Sequence, residues 1–445
     1  MLARLAGPLA ALALACGNAS DRGDVVAPAG DVAAPSAPAP APPKLVRTCP
    51  VHPPTPRPLQ LDAVSELDPA AGKSWIVATR ADQSVLLHLD PTGELATTPI
   101  PTWSETVAAE PAALRIANTL APPQWWTLDL RDPDHPTPGP AAAIDPAAAG
   151  EYPKAFASDG TRALLAQYRV ADAGPRRYIG STYFLDVATG RPLTPPAAMT
   201  VWIAHCDRGR CQGYATDNAT DHAVIAGFDD AGHRILHDLG TQTCAGVTAW
   251  QQGRQWLLAW SEQGAFGVAS VDLDTRDVRT ARVSVPDSAN QCTSLDPLTV
   301  AGHHGLLVGS GTQRSFFESL GDRSFGPPEP LPPLEHTQLA LASFGDGVLL
   351  AQYAARTGMV HGPEENGIRE YHHVWSFTGR HDLLRRDAGA WQLEAGGPLP
   401  HDGEHGEHSD GYRVHLLTRP DHAGVLVSGG RSLASAYLPL RSACP

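Results

Sequence analysis

Lysine is nearly missing from this 445-residue chain: Lys44, Lys73 and Lys154 are the only three, so arginine supplies almost all of the positive charge. Charged residues as a group are scarce, at 18%, and aromatic ones make up 6%. With 33 basic against 47 acidic side chains the formal charge is −14. Such a surface repels phosphate backbones, so no nucleic-acid partner is expected. No apolar run reaches the roughly 18 residues that a membrane-spanning helix requires, and long 3.6-period segments are lacking, which argues against a helical fold. What the chain does have is glycine and proline, 42 of each, both poorly tolerated inside helices. Its hydrophobic share of 42% supplies ample material for a core.

The N-terminus opens with the basic Arg4 and an apolar stretch from Leu5 to Ala15, too short to cross a bilayer. This stretch ends Leu12-Ala13-Leu14-Ala15-Cys16-Gly17. Small residues ahead of a cysteine at the close of a short apolar run resemble the lipobox of bacterial lipoproteins. The resemblance implies that residues 1–15 are a lipoprotein signal peptide and that Cys16 is lipidated. It also implies a membrane partner through the lipid anchor, since several acyl chains at about 0.8 kcal/mol per buried CH2 hold a protein firmly. Gly17, in place of aspartate, is similar to lipoproteins sorted to the outer membrane. The alternative is an ordinary secretory signal with Cys16 incidental. Residues 16–48 read as an Ala/Pro-rich tether, because such a composition prefers extended conformations and cannot bury a core. Residues 49–445 are left as the folded domain.

Setting Cys16 aside leaves an even set: Cys49, Cys206, Cys211, Cys244, Cys292 and Cys444. Outside the cytoplasm such a set reads as disulfides. Cys206 and Cys211 flank a turn-like Asp-Arg-Gly-Arg, Cys244 and Cys292 lie one repeat apart, and Cys49 with Cys444 would join the two ends of the domain.

The repeat itself is clearest where residues 155–168 align without gaps to residues 340–353, with nine of 14 positions identical. Its kernel is a glycine, three variable residues and then aliphatics. The kernel recurs as Gly72 with Ile76-Val77-Ala78, Gly160 with Leu164-Leu165-Ala166 and Gly253 with Leu257-Leu258-Ala259. Further copies are Gly302 with Leu306-Leu307-Val308 and Gly345 with Leu349-Leu350-Ala351, and Val425-Leu426-Val427 lacks the glycine. The spacing leaves room for degenerate copies near Leu114–Ala117 and Cys211–Ala215. A glycine permits the positive-φ turn of a hairpin, and the aliphatic run suits a strand buried on both faces. Second landmarks such as Leu89-Asp90-Pro91-Thr92-Gly93 and Leu185-Asp186-Val187-Ala188-Thr189-Gly190 end further strands in acidic turns. Four strands per unit of 40–50 residues predict an all-β fold, a β-propeller with eight four-stranded antiparallel blades. Seven blades with one oversized, or a β-sandwich array or solenoid, are the alternatives. The last unit lacks an outer strand, which residues 46–58 would supply to close the ring.

No HExxH, G-x-S-x-G, P-loop or dinucleotide fingerprint occurs. Histidines crowd the region from 361 to 422, most densely at His401, His405 and His408 beside Asp402, Glu404, Glu407 and Asp410. These donors suit a divalent metal, but the interspersed glycines favour a solvated polar loop, so no cofactor is expected. His361, Glu364, Glu365, His372 and His373 form a second such group. Trp125, Trp126, Trp250, Trp256 and Trp260 read mostly as packing between strands, with sugar stacking as the alternative. No catalytic residue stands out. The expected function is a lipid-anchored extracytoplasmic scaffold that binds protein or glycan. The alternative is an envelope enzyme, a glycan hydrolase or lyase or a metal-dependent esterase, with a site assembled from dispersed loops.

Overall fold

The structure, a computed structural model, describes residues 57–59, 61, 63–65, 75–80, 83–100, 106–110, 112–118, 122–132, 134–148, 153–170, 178–285, 291–321, 323–365, 368–387, 389–400, 403–405, 413–419, 422–428 and 435–441. Every aliphatic kernel falls in the second strand of a small antiparallel sheet. In chain order these strands are Trp75–Arg80, Ala113–Asn118, Arg162–Val170, Arg210–Asp217, Gln255–Glu262, His303–Ser310, Gly347–Glu365 and His422–Ser428. The two degenerate copies are thus the second strands of the second and fourth sheets. Eight such sheets follow one another along the chain, four of them of four strands, three of five and one of three, and together they form an eight-bladed β-propeller. Among the described residues helical structure is confined to the 3-10 turn Pro146–Ala148, and no helix is long and apolar enough to cross a membrane.

The physical basis of the ring lies between the blades. Among the described residues eight hydrophobic clusters occur, and each one joins two neighbouring blades. Alternation along a strand explains how one kernel serves two interfaces. Leu164 and Ala166 pack toward the fourth blade, while Ala163 and Leu165 pack toward the second. Hence the kernel is aliphatic at consecutive positions, as a strand covered on both faces must be. The first strands of blades 2 to 8 pack successively against one another and face the ring axis.

Leu164 and Leu349 occupy equivalent places in blades 3 and 7. Leu164 pairs with Ala157 on the first strand, and Leu349 pairs with Ala342, its counterpart in the repeat. The hairpin glycines between those strands take positive φ, 88° at Gly160 and 58° at Gly345, a region closed to most side chains.

Closure is made by an N-terminal strand, as expected, although residues 46–56 of the expected segment lie outside the described residues. The last blade contributes Arg413–Thr418, His422–Ser428 and Ser435–Arg441, and the N-terminal strand Arg57–Leu59 completes it as the outermost strand. Arg57 lies opposite Tyr437, and the Tyr437 hydroxyl donates to Gly93 O of the first blade at 3.3 Å. Pairing leaves no open edge at that seam.

Blade 7 carries part of the histidine-rich insertion: it extends its second and third strands to Gly347–Glu365 and Ile368–Asp387, 19 and 20 residues long. The second strands of the other blades have 6 to 9 residues. Backbone pairing with a neighbouring strand satisfies amide groups that a loop would leave to water. His361, Glu364, Glu365, His372 and His373 belong to this hairpin. A short strand, Gly403–His405, pairs onto it with His405 opposite Trp375.

Candidate functional site

A cavity of about 1420 Å³ opens where the first strands run into their hairpin turns. Blades 2 to 8 all contribute to its wall, so the cavity belongs to the axis of the ring and to no single blade. Positions next to the turns supply small polar groups: Ser158, Gln251, Thr299, Ser343 and Thr418. Two of these repeat a structural role. Ser343 Oγ donates to Thr299 O of the preceding blade at 2.5 Å, and its counterpart Ser158 donates to Glu110 Oε1 of its own preceding blade at 2.5 Å.

Blade 4 projects a tight hairpin into the wall. Arg208 and Gly209 both have positive φ, 50° and 77°, the pattern of a two-residue hairpin turn whose twist matches the strands. That turn sets Cys206 directly opposite Cys211, with Cα atoms 4.0 Å apart, and the two are joined in a disulfide. Cys244 and Cys292 also form a disulfide, across Cα atoms 5.5 Å apart. Each precedes the first strand of its blade, Val247–Gln252 in blade 5 and Ser294–Val300 in blade 6. Both expected pairings are therefore present, and they suit an oxidising compartment.

Most charges around the cavity are matched with one another, while Arg210 donates to the backbone Asp274 O at 3.3 Å. Glu110 pairs with Arg115, and both side chains are largely buried. Arg162 reaches Asp186 at 2.9 Å and Asp230 of the next blade at 3.2 Å. Arg254 bridges Asp207 and Asp274 at 3.0 and 2.7 Å, and Arg208 meets Asp274 at 3.1 Å. Asp159 accepts from Thr161 and Arg162 within its own turn and from Gly209 N of blade 4. Burial works against its charged form, but the donated hydrogen bonds outweigh that and hold the carboxyl below its ordinary value.

Aromatic groups complete the wall. Trp256 and the half-buried Trp250 line it, and the His205 ring lies 6.2 Å from Trp256 in a stacked arrangement. Burial lowers the His205 pKa, with Asp207 partly opposing the shift, so its imidazole is neutral near pH 7. Trp125 and Trp260 are buried between blades, and Trp126 is buried as well. The structure therefore divides the tryptophans that the sequence leaves as one group. Nothing in the sequence marks His205, Gln251 or Thr299. Ser158 and Ser343 carry a signal, as an identical pair within the repeat.

Of the other sequence-derived site residues, Cys16, Cys49, Cys444, His401 and His408 lie outside the described residues. His405 lies on the short strand Gly403–His405 that pairs onto the blade 7 hairpin. Among the described residues no cluster of three or more His, Cys, Asp or Glu groups suits a metal ion.

No protein-family model matches the chain, and neither does any curated protein. Among solved structures it is similar to the Dos1 propeller, at 10% identity and a TM-score of 0.39, over 87% of this chain and 94% of that one. It is also similar to TolB from Acinetobacter baumannii, at 11% identity and a TM-score of 0.28, over 76% and 80% of the two chains. A third similarity is to a chain from a study of two prolyl endopeptidases, at 13% identity and a TM-score of 0.40, over 82% of this chain. This chain spans 54% of that one's length. The likeness in all three is one of architecture.

Proposed function

We propose that this protein is an outer-membrane lipoprotein whose propeller, held away from the bilayer by an Ala/Pro-rich tether, is a scaffold that binds a protein or glycan partner at the ring mouth. The observation that supports binding is the cavity of about 1420 Å³, larger than the usual 300–1,000 Å³ of small-molecule pockets. Its wall is built on strands, which hold recognition groups more firmly than loops do.

Its carboxylates favour recognition over hydrolysis. Glu110, Asp159 and Asp207 are each held by arginine or backbone donors. A general acid needs a carboxyl whose pKa is raised, whereas Asp159 is shifted the other way. The lipobox-like sequence ending at Cys16 and the two disulfides favour an envelope location.

Crosslinking in intact cells, followed by purification from solubilised envelopes, tests the reading. The expected result is a saturable partner whose retention falls when Gln251 and Ser343 are replaced by bulky residues that fill the mouth. Retention that ignores those changes counts against the mouth as the binding face. Turnover of an added glycan or ester would favour the enzyme alternative.

A further inference from the structure

We infer that the mouth cavity recognises an uncharged oligosaccharide, with Trp250 as its stacking platform; this inference rests on the scaffold reading and names its ligand class. Three observations lead to it. First, most of the charges have been matched within the protein. Arg162, Arg208 and Arg254 meet Asp186, Asp207, Asp230 and Asp274, and Glu110 meets Arg115. The exception is the exposed Arg210, which has no ion pair among the described residues and donates to Asp274 O at 3.3 Å. Elsewhere a charged ligand would have to break existing pairs, at a desolvation cost.

Second, the groups nearest the axis are hydroxyl, amide, indole and neutral imidazole. The hydroxyl, amide and imidazole groups both donate and accept, as sugar hydroxyls do, and the indole donates. Third, two lining residues bear buried ring nitrogens with no hydrogen-bond partner among the described residues: Trp250 Nε1 and His205 Nε2. An unmet buried polar atom costs about 1–3 kcal/mol; neither nitrogen is exposed to the cavity, so a ligand hydroxyl relieves that cost only by drawing the ring toward it. Trp250 is also only half-buried, unlike Trp125, Trp126 and Trp260, and an indole presents one apolar face to the C–H face of a sugar.

Calorimetry on the full chain decides the matter. The probes are short malto-, cello- and chito-oligosaccharides, with oligogalacturonate and sulfated oligosaccharides as acidic counterparts. The expected result is saturable binding to at least one neutral series and none to the acidic probes. Trp250→Ala should weaken that binding about tenfold. Trp250→Phe, which keeps a ring and loses only the N–H, should weaken it less. His205→Gln supplies a second variant should Trp250→Ala fail to fold, and it too should weaken neutral-sugar binding. Preference for acidic probes, no binding to any neutral series, or full affinity in both Trp250→Ala and His205→Gln would overturn the inference. A protein partner retained equally by wild type and Trp250→Ala would leave the scaffold reading standing and the oligosaccharide inference refuted.

Discussion

Arg276 donates from Nη1 to Asp229 Oδ2 at 2.8 Å across the interface between blades 5 and 4, while its Nη2 donates to Phe228 O at 2.7 Å. Arg276 stands where the related turns have Gly93 and Gly190, and it shares their left-handed backbone, with φ of 64° against 79° and 67°. An arginine in a glycine slot is strained by about 1–2 kcal/mol. Here the slot aims a guanidinium, 2% exposed, between two blades. Burial lowers its pKa and Asp229 partly restores it.

Arg276→Ala should therefore destabilise the protein by about 2–3 kcal/mol, the low end for breaking a buried pair because Asp229 is a third exposed. Arg276→Gly loses the same contacts but sheds the backbone strain, so it should be milder by about 1 kcal/mol. Guanidinium unfolding curves of the three proteins check the order. Equal losses in both variants would count against the strain account.

Acid should weaken the fold before carboxylates titrate. Burial, reinforced by the charge of Arg413, lowers His415 from 6.5 to about 4. The folded chain thus binds that proton less readily than the unfolded chain does. Stability from this group is full above pH 6.5 and is lost as pH falls toward about 4, a change of about 3 kcal/mol. His88, His205 and His381 shift in the same direction, also chiefly through burial. Unfolding measured through that window should show a shallower pH slope in His415→Gln than in wild type. An unchanged slope would remove His415 from the account.

The disulfides should differ in worth. Chain-entropy arithmetic assigns about 4 kcal/mol to Cys244–Cys292, with a sequence separation of 48, and about 2 kcal/mol to Cys206–Cys211, with a separation of 5. Replacing each pair by serine and comparing unfolding midpoints checks the ranking. For the two remaining cysteines we propose a Cys49–Cys444 bridge across the seam. It would contribute most, about 5–6 kcal/mol, because its loop is longest. Disulfide mapping by mass spectrometry should recover a peptide joining Cys49 to Cys444, and any other partner for Cys49 would sink that assignment.

Anchoring rests on Cys16 alone in this reading. Cys16→Ser should move the protein from the membrane fraction to the soluble fraction, and metabolic labelling with a fatty-acid analogue should vanish with it. A variant that still sediments with membranes would mean that a protein partner, and not lipid, holds the chain there.

The sequence by itself determined the repeat and hence the blades. The match between residues 155–168 and 340–353 reappears as one register, Ala157 opposite Leu164 and Ala342 opposite Leu349. Such information is local: a turn glycine, an alternating strand and a run of aliphatics are all encoded within about 15 residues. The disulfides Cys206–Cys211 and Cys244–Cys292 were legible for the same reason, one bracketing a turn and the other separated by one repeat. Only the tertiary structure decided what the repeat cannot express. It turned the histidine-rich gap into the extended hairpin of blade 7, because amide groups there pair strand to strand. It also left Trp250 half-buried at the cavity, whereas Trp125, Trp256 and Trp260 are buried in the packing, although all four are indoles on short strands. The cavity was the least legible feature. Ser158, His205, Trp250, Thr299 and Ser343 come from five blades and lie far apart in sequence, and only closure of the ring brings their strand ends onto one axis.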